Sequence, residues 1–154
     1  MNATPEILLF GYGNPGRGDD ALGPLLVEAI EQEDFPQVEC LTDMQLQVEH
    51  VTDLEHRKLI IFVDADMSCE APYAYSQLME KRDDSYTSHA MSPAALLYAY
   101  RQVYGIDAPP AFMLRIRGYD FELGSPLSKR ATRNLHDTVA SVQQSVIDTQ
   151  SMEE

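Results

Sequence analysis

Hydrophobic and polar residues follow two different periods along the chain. Short apolar runs suited to burial on both faces of a sheet predict strands, and Lys58–Val63 is the strongest of them. The other predicted strands are Glu6–Gly11, Val38–Leu41, Tyr73–Leu78 and Ala111–Ile116. Apolar residues at helical spacing lie between these strands and predict amphipathic helices. The predicted helices are Asp19–Gln32, Gln45–Leu54, Ser92–Tyr104 and Leu127–Val146.

Strands that alternate with helices predict an α/β fold with a mostly parallel sheet. We expect one three-layer αβα domain of the phosphorylase/hydrolase-like kind over residues 1–154, because the pattern shows neither repeats nor an interdomain linker. Ser92 is a suitable N-cap, and Pro93 fits the first turn of the helix that follows. The acidic residues 148–154 are expected to form a disordered tail.

Acidic residues follow two of the predicted parallel strands, at the edge of the sheet where such folds place their sites. Asp19 and Asp20 follow the first strand, Asp64 ends the third, and His89 precedes the helix that starts at Ser92. Two carboxylates and an imidazole are a plausible ligand set for a divalent transition metal, which makes Asp20, Asp64 and His89 the candidates. Taken singly, an aspartate here could instead cap the first helix, Asp64 could merely end its strand, and His89 could be exposed.

The loop after the first strand contains the G-x-G-x-x-G pattern of dinucleotide-binding folds at Gly11, Gly13 and Gly16. A dinucleotide loop places a pyrophosphate on backbone amides at a helix N-terminus. Asp19 and Asp20 would lie at that end and repel the pyrophosphate. The glycines are therefore better explained by a tight turn that holds an acid at the sheet edge. Nucleotide binding remains the less favoured alternative, with Asp43 as its ribose-binding acid.

Composition narrows the class of partner. A net charge of −14 opposes binding to nucleic acid or to an anionic membrane. The apolar runs are too short to span a bilayer, and the N-terminus has no signal-peptide pattern, so we expect a cytoplasmic protein. Cys40 and Cys69 are too few for a disulfide framework or a zinc site, and we expect both to be reduced.

Four motifs in order resemble a known family. Gly11-Tyr-Gly-Asn-Pro-Gly-Arg-Gly-Asp-Asp-Ala-Leu-Gly23 is similar to the opening of the nickel-dependent hydrogenase maturation endopeptidases. An aspartate that closes a hydrophobic strand follows at Ile60-Ile-Phe-Val-Asp64-Ala65. A histidine before a helix follows at His89-Ala-Met-Ser-Pro93, and a late glycine turn spans Gly118–Gly124. The resemblance covers nearly the whole chain, from residue 7 to about residue 147.

The resemblance implies removal of a C-terminal peptide from the large-subunit precursor of a [NiFe] hydrogenase. It assigns the nickel-binding acids to Asp20 and Asp64 and the imidazole to His89. The nickel would be supplied by cysteine thiolates of the precursor, so cleavage would report that the metal had been inserted. Asp66 could serve as a catalytic base or as a residue that contacts one of the metal-binding side chains. We expect the enzyme to be a monomer whose metal site is mostly empty at rest.

One region departs from the family pattern. The family often carries D-G-G-T after the second strand, whereas this chain reads Leu41-Thr-Asp-Met-Gln-Leu46. Asp43 keeps the acid without the glycines, so the loop must have a different shape. Gln45-Leu46 and the glycine turn resemble the subgroup that serves cytoplasmic bidirectional or NAD-linked hydrogenases.

Three alternatives remain at this point. A non-catalytic nickel carrier or assembly chaperone of the hydrogenase would use the same three ligands, and it would leave the precursor uncut. A peptidyl-tRNA-hydrolase-like esterase shares the G-x-G-N-P-G opening, but it needs a basic groove that the charge disfavours. A cysteine protease is disfavoured because Cys40 and Cys69 lie outside the matched motifs. The arginines Arg115 and Arg117 could contact an acidic segment of the precursor, although they could equally be solvated.

Overall fold

The computed structural model describes residues 3–82 and 91–153, with side chains as far as residue 149. Within these ranges it contains five strands, three α-helices and two short 3-10 helices. The strands are β1 (Ile7–Tyr12), β2 (Val38–Asp43), β3 (Leu59–Asp66), β4 (Tyr73–Leu78) and β5 (Ala111–Arg117). The α-helices are α1 (Leu22–Glu31), α2 (Pro93–Tyr104) and α3 (Lys129–Glu153), and the 3-10 helices are Gly18–Ala21 and Val48–Leu54.

The strands form one mixed sheet in the order β2-β1-β3-β5-β4. The first four are parallel to one another, and β4 pairs with β5 in the antiparallel sense. The α/β fold with a mostly parallel sheet is therefore confirmed. Since β1 and β3 lie side by side in the middle, the loops that follow them leave the same edge of the sheet. Asp20 lies in the loop that follows β1, and Asp64 lies near the end of β3 at the same edge.

Helices cover both faces of the sheet and give the three predicted layers. On one face, α2 and the Val48–Leu54 helix bury side chains of alternate strand positions, among them Leu8, Phe10, Ile60 and Phe62. On the other face, α1 and α3 bury the intervening positions, among them Leu9, Val63, Leu114 and Ile116. Both faces of β1 and β3 are thus buried, which explains why these strands are continuous apolar runs in the sequence.

Helix starts and ends differ from the predictions in several places. The segment predicted as a helix over Gln45–Leu54 forms a 3-10 helix that begins at Val48, and α3 begins at Lys129 rather than at Leu127. The predicted helix Asp19–Gln32 begins as a 3-10 turn, and the α-helix starts only at Leu22 without a side-chain cap. The closing helix continues to Glu153, into the stretch expected to be a disordered tail, so the boundary predicted at Val146 is too early. No glycine or proline follows Val146, and Thr149 donates a hydrogen bond of 2.9 Å to the carbonyl of Ser145. The sequence just after Val146 therefore contains no residue that would end the helix there.

Other predictions agree with the structure. Ser92 caps α2 through a 3.1 Å hydrogen bond that its Oγ accepts from the amide of Ala95, and Pro93 is the first helical residue. Cys40 and Cys69 are both unpaired. Among the helices that the structure describes, none combines the length and the apolar character needed to cross a bilayer.

Candidate active site

The glycine-rich loop between β1 and α1 holds Asp20 beside the end of β1. Gly13 has a φ of +149°, and a Cβ at this residue would collide with the backbone oxygen of Asp20. The amide of Asn14 donates a 2.7 Å hydrogen bond to Asp20 Oδ2. Because the loop can pack against Asp20 only without a side chain at Gly13, this glycine determines where the carboxylate lies.

The amides of this loop are occupied by groups of the chain itself. The amide of Gly13 donates to the carbonyl of Asp43 at 3.1 Å, and that of Gly16 donates to Asn14 Oδ1 at 2.8 Å. The amide of Arg17 donates to the carbonyl of Asn14 at 3.1 Å. A dinucleotide loop needs such amides free to bind a pyrophosphate. Here they close the turn and hold a carboxylate, which disfavours the nucleotide alternative.

Asp19 and Asp20 are neighbours in sequence but have different environments. Asp19 is fully buried, and its carboxylate accepts hydrogen bonds from the amides of Tyr119, Asp120 and Ser128 and from Ser128 Oγ, at 2.7 to 3.0 Å. Burial alone would raise the pKa of Asp19, but these hydrogen bonds together hold it below its ordinary value. The expectation that an aspartate here caps α1 is wrong for Asp19, because its carboxylate binds the residue that precedes α3.

Asp64 lies near the end of β3 on the face covered by α2. Its carboxyl group is half-buried, and its Oδ1 accepts a 2.8 Å hydrogen bond from the amide of Ala65. Burial, with the negative charge of Asp20 as a further contribution, raises the pKa of Asp64 from 3.8 to about 7. The two predicted acids are therefore close enough for one carboxylate to disfavour ionisation of the other.

Strand register places Asp64 within a row of polar residues that runs across the sheet edge. Asp43 pairs with Tyr12 across β2 and β1, and Asp64 pairs with Arg115 across β3 and β5. Tyr12 and Asp64 directly follow the paired residues Gly11 and Val63. The Tyr12 hydroxyl interacts with the Asp64 carboxyl group, and burial is the main reason why the pKa of Tyr12 is raised.

Asp66 is held by contacts of its own. Its Oδ1 accepts hydrogen bonds of 2.7 Å from both the amide and the hydroxyl of Ser68, and its Oδ2 lies 3.6 Å from Nε of Arg115. The hydrogen bonds from Ser68 are the main reason why the pKa of Asp66 lies below its ordinary value. Its carboxylate is thus stabilised in the charged form, and its suggested role as a base stays a prediction.

His89, the third predicted ligand, lies outside the described residues, so its position relative to Asp20 and Asp64 stays a prediction. The described chain resumes at Met91, whose amide donates a 3.0 Å hydrogen bond to the carbonyl of Leu46. Over residues 3–82 and 91–153, no three side chains of His, Cys, Asp or Glu are grouped closely enough to hold a metal ion. Asp20 and Asp64 together offer carboxylate oxygens, so the remaining ligands of a metal must come from other groups.

His50 lies next to this edge of the sheet, where its ring is held by three contacts. Its Nδ1 accepts a 2.9 Å hydrogen bond from the amide of Gln47, so the proton is on Nε2, which donates to Asp43 Oδ2 at 3.1 Å. The ring also contacts Phe10 edge-on, with centroids 4.8 Å apart. His50 thereby fixes the Asp43 carboxylate and the loop that departs from the family pattern.

Tyr12 is a site residue that sequence reasoning did not select, and Arg115 was considered only as a contact to an acidic segment of the precursor or as a solvated charge, not as a neighbour of Asp64. The alternation of side chains between the two faces of a strand indicates which way both residues point. Phe10 and Phe62 face α2, so Tyr12 and Asp64, each two residues further along, must face the same side. Arg115 is two residues beyond Met113, which also faces α2. Finding these residues needs the strand register, which the sequence pattern alone does not provide.

Comparisons with known proteins found several solved structures that are similar in fold. No protein-family model and no curated protein matches the sequence. Among solved structures, the [NiFe] hydrogenase maturation protease HycI from Thermococcus kodakarensis KOD1 superposes with a TM-score of 0.69, at 20% identity over 91% of each chain. The hydrogenase maturating endopeptidase HybD from E. coli gives a TM-score of 0.69, at 23% identity over 93% of each chain.

A third solved structure extends the likeness to an archaeal protein. The hydrogenase 2 maturation peptidase from Thaumarchaeota archaeon SCGC_AB-539-E09 gives a TM-score of 0.64 at 23% identity, over 91% of this chain and 97% of that chain. In all three cases the match extends over nearly the full length of both chains. At this level of identity the likeness establishes the fold. The chain has the fold of the hydrogenase maturation proteases.

Proposed function

We propose that this chain is an endopeptidase that removes the C-terminal peptide of a [NiFe]-hydrogenase large-subunit precursor after nickel has been inserted. The observation that carries the proposal is the pair of carboxylates, Asp20 and Asp64, which interact at the carboxyl edge of the sheet. They do so in a fold shared with solved hydrogenase maturation proteases. The order of the sequence motifs supports the same assignment.

The electrostatics of the pair favour a cation. Asp20 disfavours ionisation of Asp64, so a positive ion that binds both carboxylates relieves their repulsion. The two acids and the imidazole of His89 are too few to form a complete site. In our proposal the nickel therefore arrives on thiolates of the precursor, which complete its coordination, and imidazole is a suitable additional ligand for nickel.

Substrate-borne nickel would polarise the scissile carbonyl or activate a water molecule. This chain's own residues orient the reacting groups. Asn14 holds one oxygen of Asp20 through its amide, and Ala65 holds one oxygen of Asp64 in the same way. Asp20 then has its other oxygen available to the ion, whereas the carboxyl group of Asp64 also interacts with the Tyr12 hydroxyl. Tyr12 and Arg115 flank Asp64, where their donor groups can balance its charge.

The first experiment is a cleavage assay that uses the purified precursor with and without bound nickel. The mass of the intact precursor reports whether a short C-terminal peptide has been lost. We expect nickel-dependent cleavage by the wild-type chain and none by Asp20→Asn, Asp64→Asn or His89→Ala. Asp137→Asn is the matched control, since it makes the same charge change at an exposed residue of α3, and it should still cleave.

The same assay separates the proposed function from its nearest alternative. A chain that binds the nickel-loaded precursor but leaves it uncut is the carrier or chaperone considered above, and the proposal is then wrong. Normal cleavage by Asp20→Asn would also contradict it. We further propose that the enzyme acts in the cytoplasm and that it is a monomer. Sedimentation of the free protein and of its complex with the precursor would check the monomeric state.

A further inference from the structure

Strand β4 forms a free edge of the sheet. It is the last strand in the order β2-β1-β3-β5-β4, so only the side that faces β5 is paired. Edge strands of natural proteins usually carry charged side chains, a proline or a bulge, which prevent another chain from pairing with them. The opposite edge strand, β2, carries Glu39 and Asp43. The six residues of β4 read Tyr-Ala-Tyr-Ser-Gln-Leu and contain no such protection, in a chain with 25 aspartates and glutamates.

The strand register shows which backbone groups of β4 are unpaired. The amide of Arg117 donates a 3.1 Å hydrogen bond to the carbonyl of Pro72, so these opposite residues form a hydrogen-bonded pair. Hydrogen-bonded and non-hydrogen-bonded pairs alternate along an antiparallel ladder, so the backbone groups of Tyr73, Tyr75 and Gln77 point away from β5. In the part of the chain that the structure describes, these outward amides and carbonyls have no hydrogen-bond partner. They form a row of alternating donors and acceptors.

The side chains at this edge suit a neighbouring strand. Tyr75 is 48% exposed, and its ring stacks on Phe112 with centroids 5.1 Å apart and planes at 6°. The Tyr73 hydroxyl shares a 2.7 Å hydrogen bond with Ser141 Oγ, which fixes that ring against α3. Both tyrosines line a cavity of about 320 Å³, whose walls also include Val142 of α3. A strand added to β4 would place alternate side chains on the Tyr75 ring, beside this cavity.

Strand β4 begins at the sheet edge that carries the candidate active site. Asp64 is opposite Arg115 and Arg115 is opposite Ala74, so the three residues form a row across β3, β5 and β4. The Arg115 side chain extends along this row, with Nε 3.6 Å from Asp66 Oδ2 and Nη1 donating to Ser76 Oγ at 3.2 Å. A strand added beside β4 would lie three interstrand spacings from Asp64, about 14 Å. An extended chain covers that distance with about four or five residues.

We propose, on the basis of the proposed function, that β4 binds the C-terminal tail of the precursor as an added strand while the scissile bond lies at Asp20 and Asp64. Main-chain hydrogen bonds would hold the tail in an extended conformation, and the site acids would bind only the ion. A chain terminus suits this edge because its backbone groups are free to pair, whereas those of a folded body are already paired. A second copy of the chain suits it less, because each copy brings a net charge of −14.

The first test follows backbone amides rather than cleavage. Hydrogen exchange is measured at single-residue resolution for the Asp20→Asn chain, alone and saturated with the nickel-loaded precursor, which this variant should bind without cutting. The amides of Ala74 and Ser76 are paired with β5 and should exchange slowly in both samples. The amides of Tyr75 and Gln77 should exchange quickly in the free chain and at least about tenfold more slowly in the complex.

The length of the tail provides the control. One precursor ends at the scissile bond, and another has a tail of about three residues, which is too short to reach β4. Both keep the nickel site, and neither should protect Tyr75 and Gln77. The proposal is overturned if these precursors protect the two amides as well as the full-length precursor does, or if the full-length precursor does not protect them. Protection that grows with protein concentration in the absence of precursor would also overturn it, because β4 would then pair with a second copy.

The second test separates the backbone of β4 from its side chains. Gln77→Pro removes one outward amide and spares the ladder, because the amide of Gln77 does not donate to β5. We expect KM for the nickel-loaded precursor to rise about tenfold and kcat to stay within about twofold, since the lost hydrogen bond lies away from the scissile bond. Gln77→Ala removes only the side chain and should change neither value.

Two results of this second test would contradict the added strand: an unchanged KM in Gln77→Pro, or an equal rise of KM in Gln77→Ala. The outcome also separates this inference from the proposed function. If the wild-type chain neither binds nor cleaves the precursor, the proposed function fails and the added strand fails with it. If the wild-type chain cleaves the precursor while the amides of Tyr75 and Gln77 stay unprotected in the complex, only the added strand is rejected.

Discussion

The replacement of Asp64 by asparagine tests the electrostatics of the candidate site through protein stability. Burial and the charge of Asp20 raise the pKa of Asp64 from 3.8 to about 7. The folded state therefore binds more protons than the unfolded state between these two pH values. It follows that the contribution of this carboxyl group to stability is complete below about pH 4 and is lost as the pH rises through about 7.

The size of the effect follows from the two pKa values. Their difference corresponds to about 4 kcal/mol of unfolding free energy, and partial exposure of the carboxyl group lowers our expectation to about 2 to 4 kcal/mol. Asp64→Asn cannot ionise, so it avoids this loss. We expect the variant to be more stable than the wild type by roughly that amount at pH 8, and to lose the advantage near pH 4.

The assay is urea unfolding of both proteins at several pH values between 4 and 8. Asp66→Asn is the control, because hydrogen bonds lower the pKa of Asp66 and the sign is reversed. This variant should be less stable than the wild type at pH 8, and the deficit should persist across the range down to about pH 4, because the pKa of folded Asp66 lies below 3.8. The reasoning is refuted if Asp64→Asn is no more stable than the wild type at pH 8, or if its advantage is equally large at pH 4.

Three further substitutions test how the site is held. Asp19→Ala leaves several buried donors without an acceptor and should destabilise the protein by about 3 kcal/mol or more, measured by urea unfolding. Gly13→Ala forces a Cβ against the backbone of Asp20, and thermal unfolding should show a loss of about 1 to 3 kcal/mol. His50→Ala frees the Asp43 carboxylate and should cost about 1 to 3 kcal/mol, with slower cleavage of the precursor as a second readout. Wild-type stability in any of these variants would contradict the corresponding contact.

The fold could be predicted because its central strands are buried on both faces. β3 was recognisable as an unbroken apolar run, and its neighbours as shorter ones. Where the strands end was less predictable. The pattern predicts an apolar run up to Val63 that Asp64 closes, yet β3 continues to Asp66 because it pairs there with Arg117 of β5. Pairing with a neighbour decides the end of this strand, and polar residues such as Asp64 can lie within it.

The candidate acids could be predicted, whereas the residues that hold them could not. Asp20 and Asp64 follow from one rule, that the carboxyl ends of parallel strands share an edge. His50 and Tyr119 depend on contacts that the pattern does not encode. His50 lies in the 3-10 helix Val48–Leu54, a segment that the sequence pattern predicts to be an ordinary helix. The backbone amide of Tyr119 donates a hydrogen bond to the carboxylate of Asp19, which lies 100 positions earlier in the chain.

The pair Asp19 and Asp20 shows why stability must be measured alongside cleavage. Both carboxylates lie in the same loop, and a variant at either one is expected to lose activity. The oxygens of Asp19 are saturated by buried donors, which leaves them unable to bind an ion, but they join the loop to Tyr119 and to the start of α3. A variant of Asp19 should therefore lose cleavage together with stability. Asp20 is only half-buried, and its substitution by asparagine relieves repulsion with Asp64, so that variant should lose cleavage while it keeps its stability. The opposite outcome would assign the ion to Asp19 and contradict the site proposed for this chain.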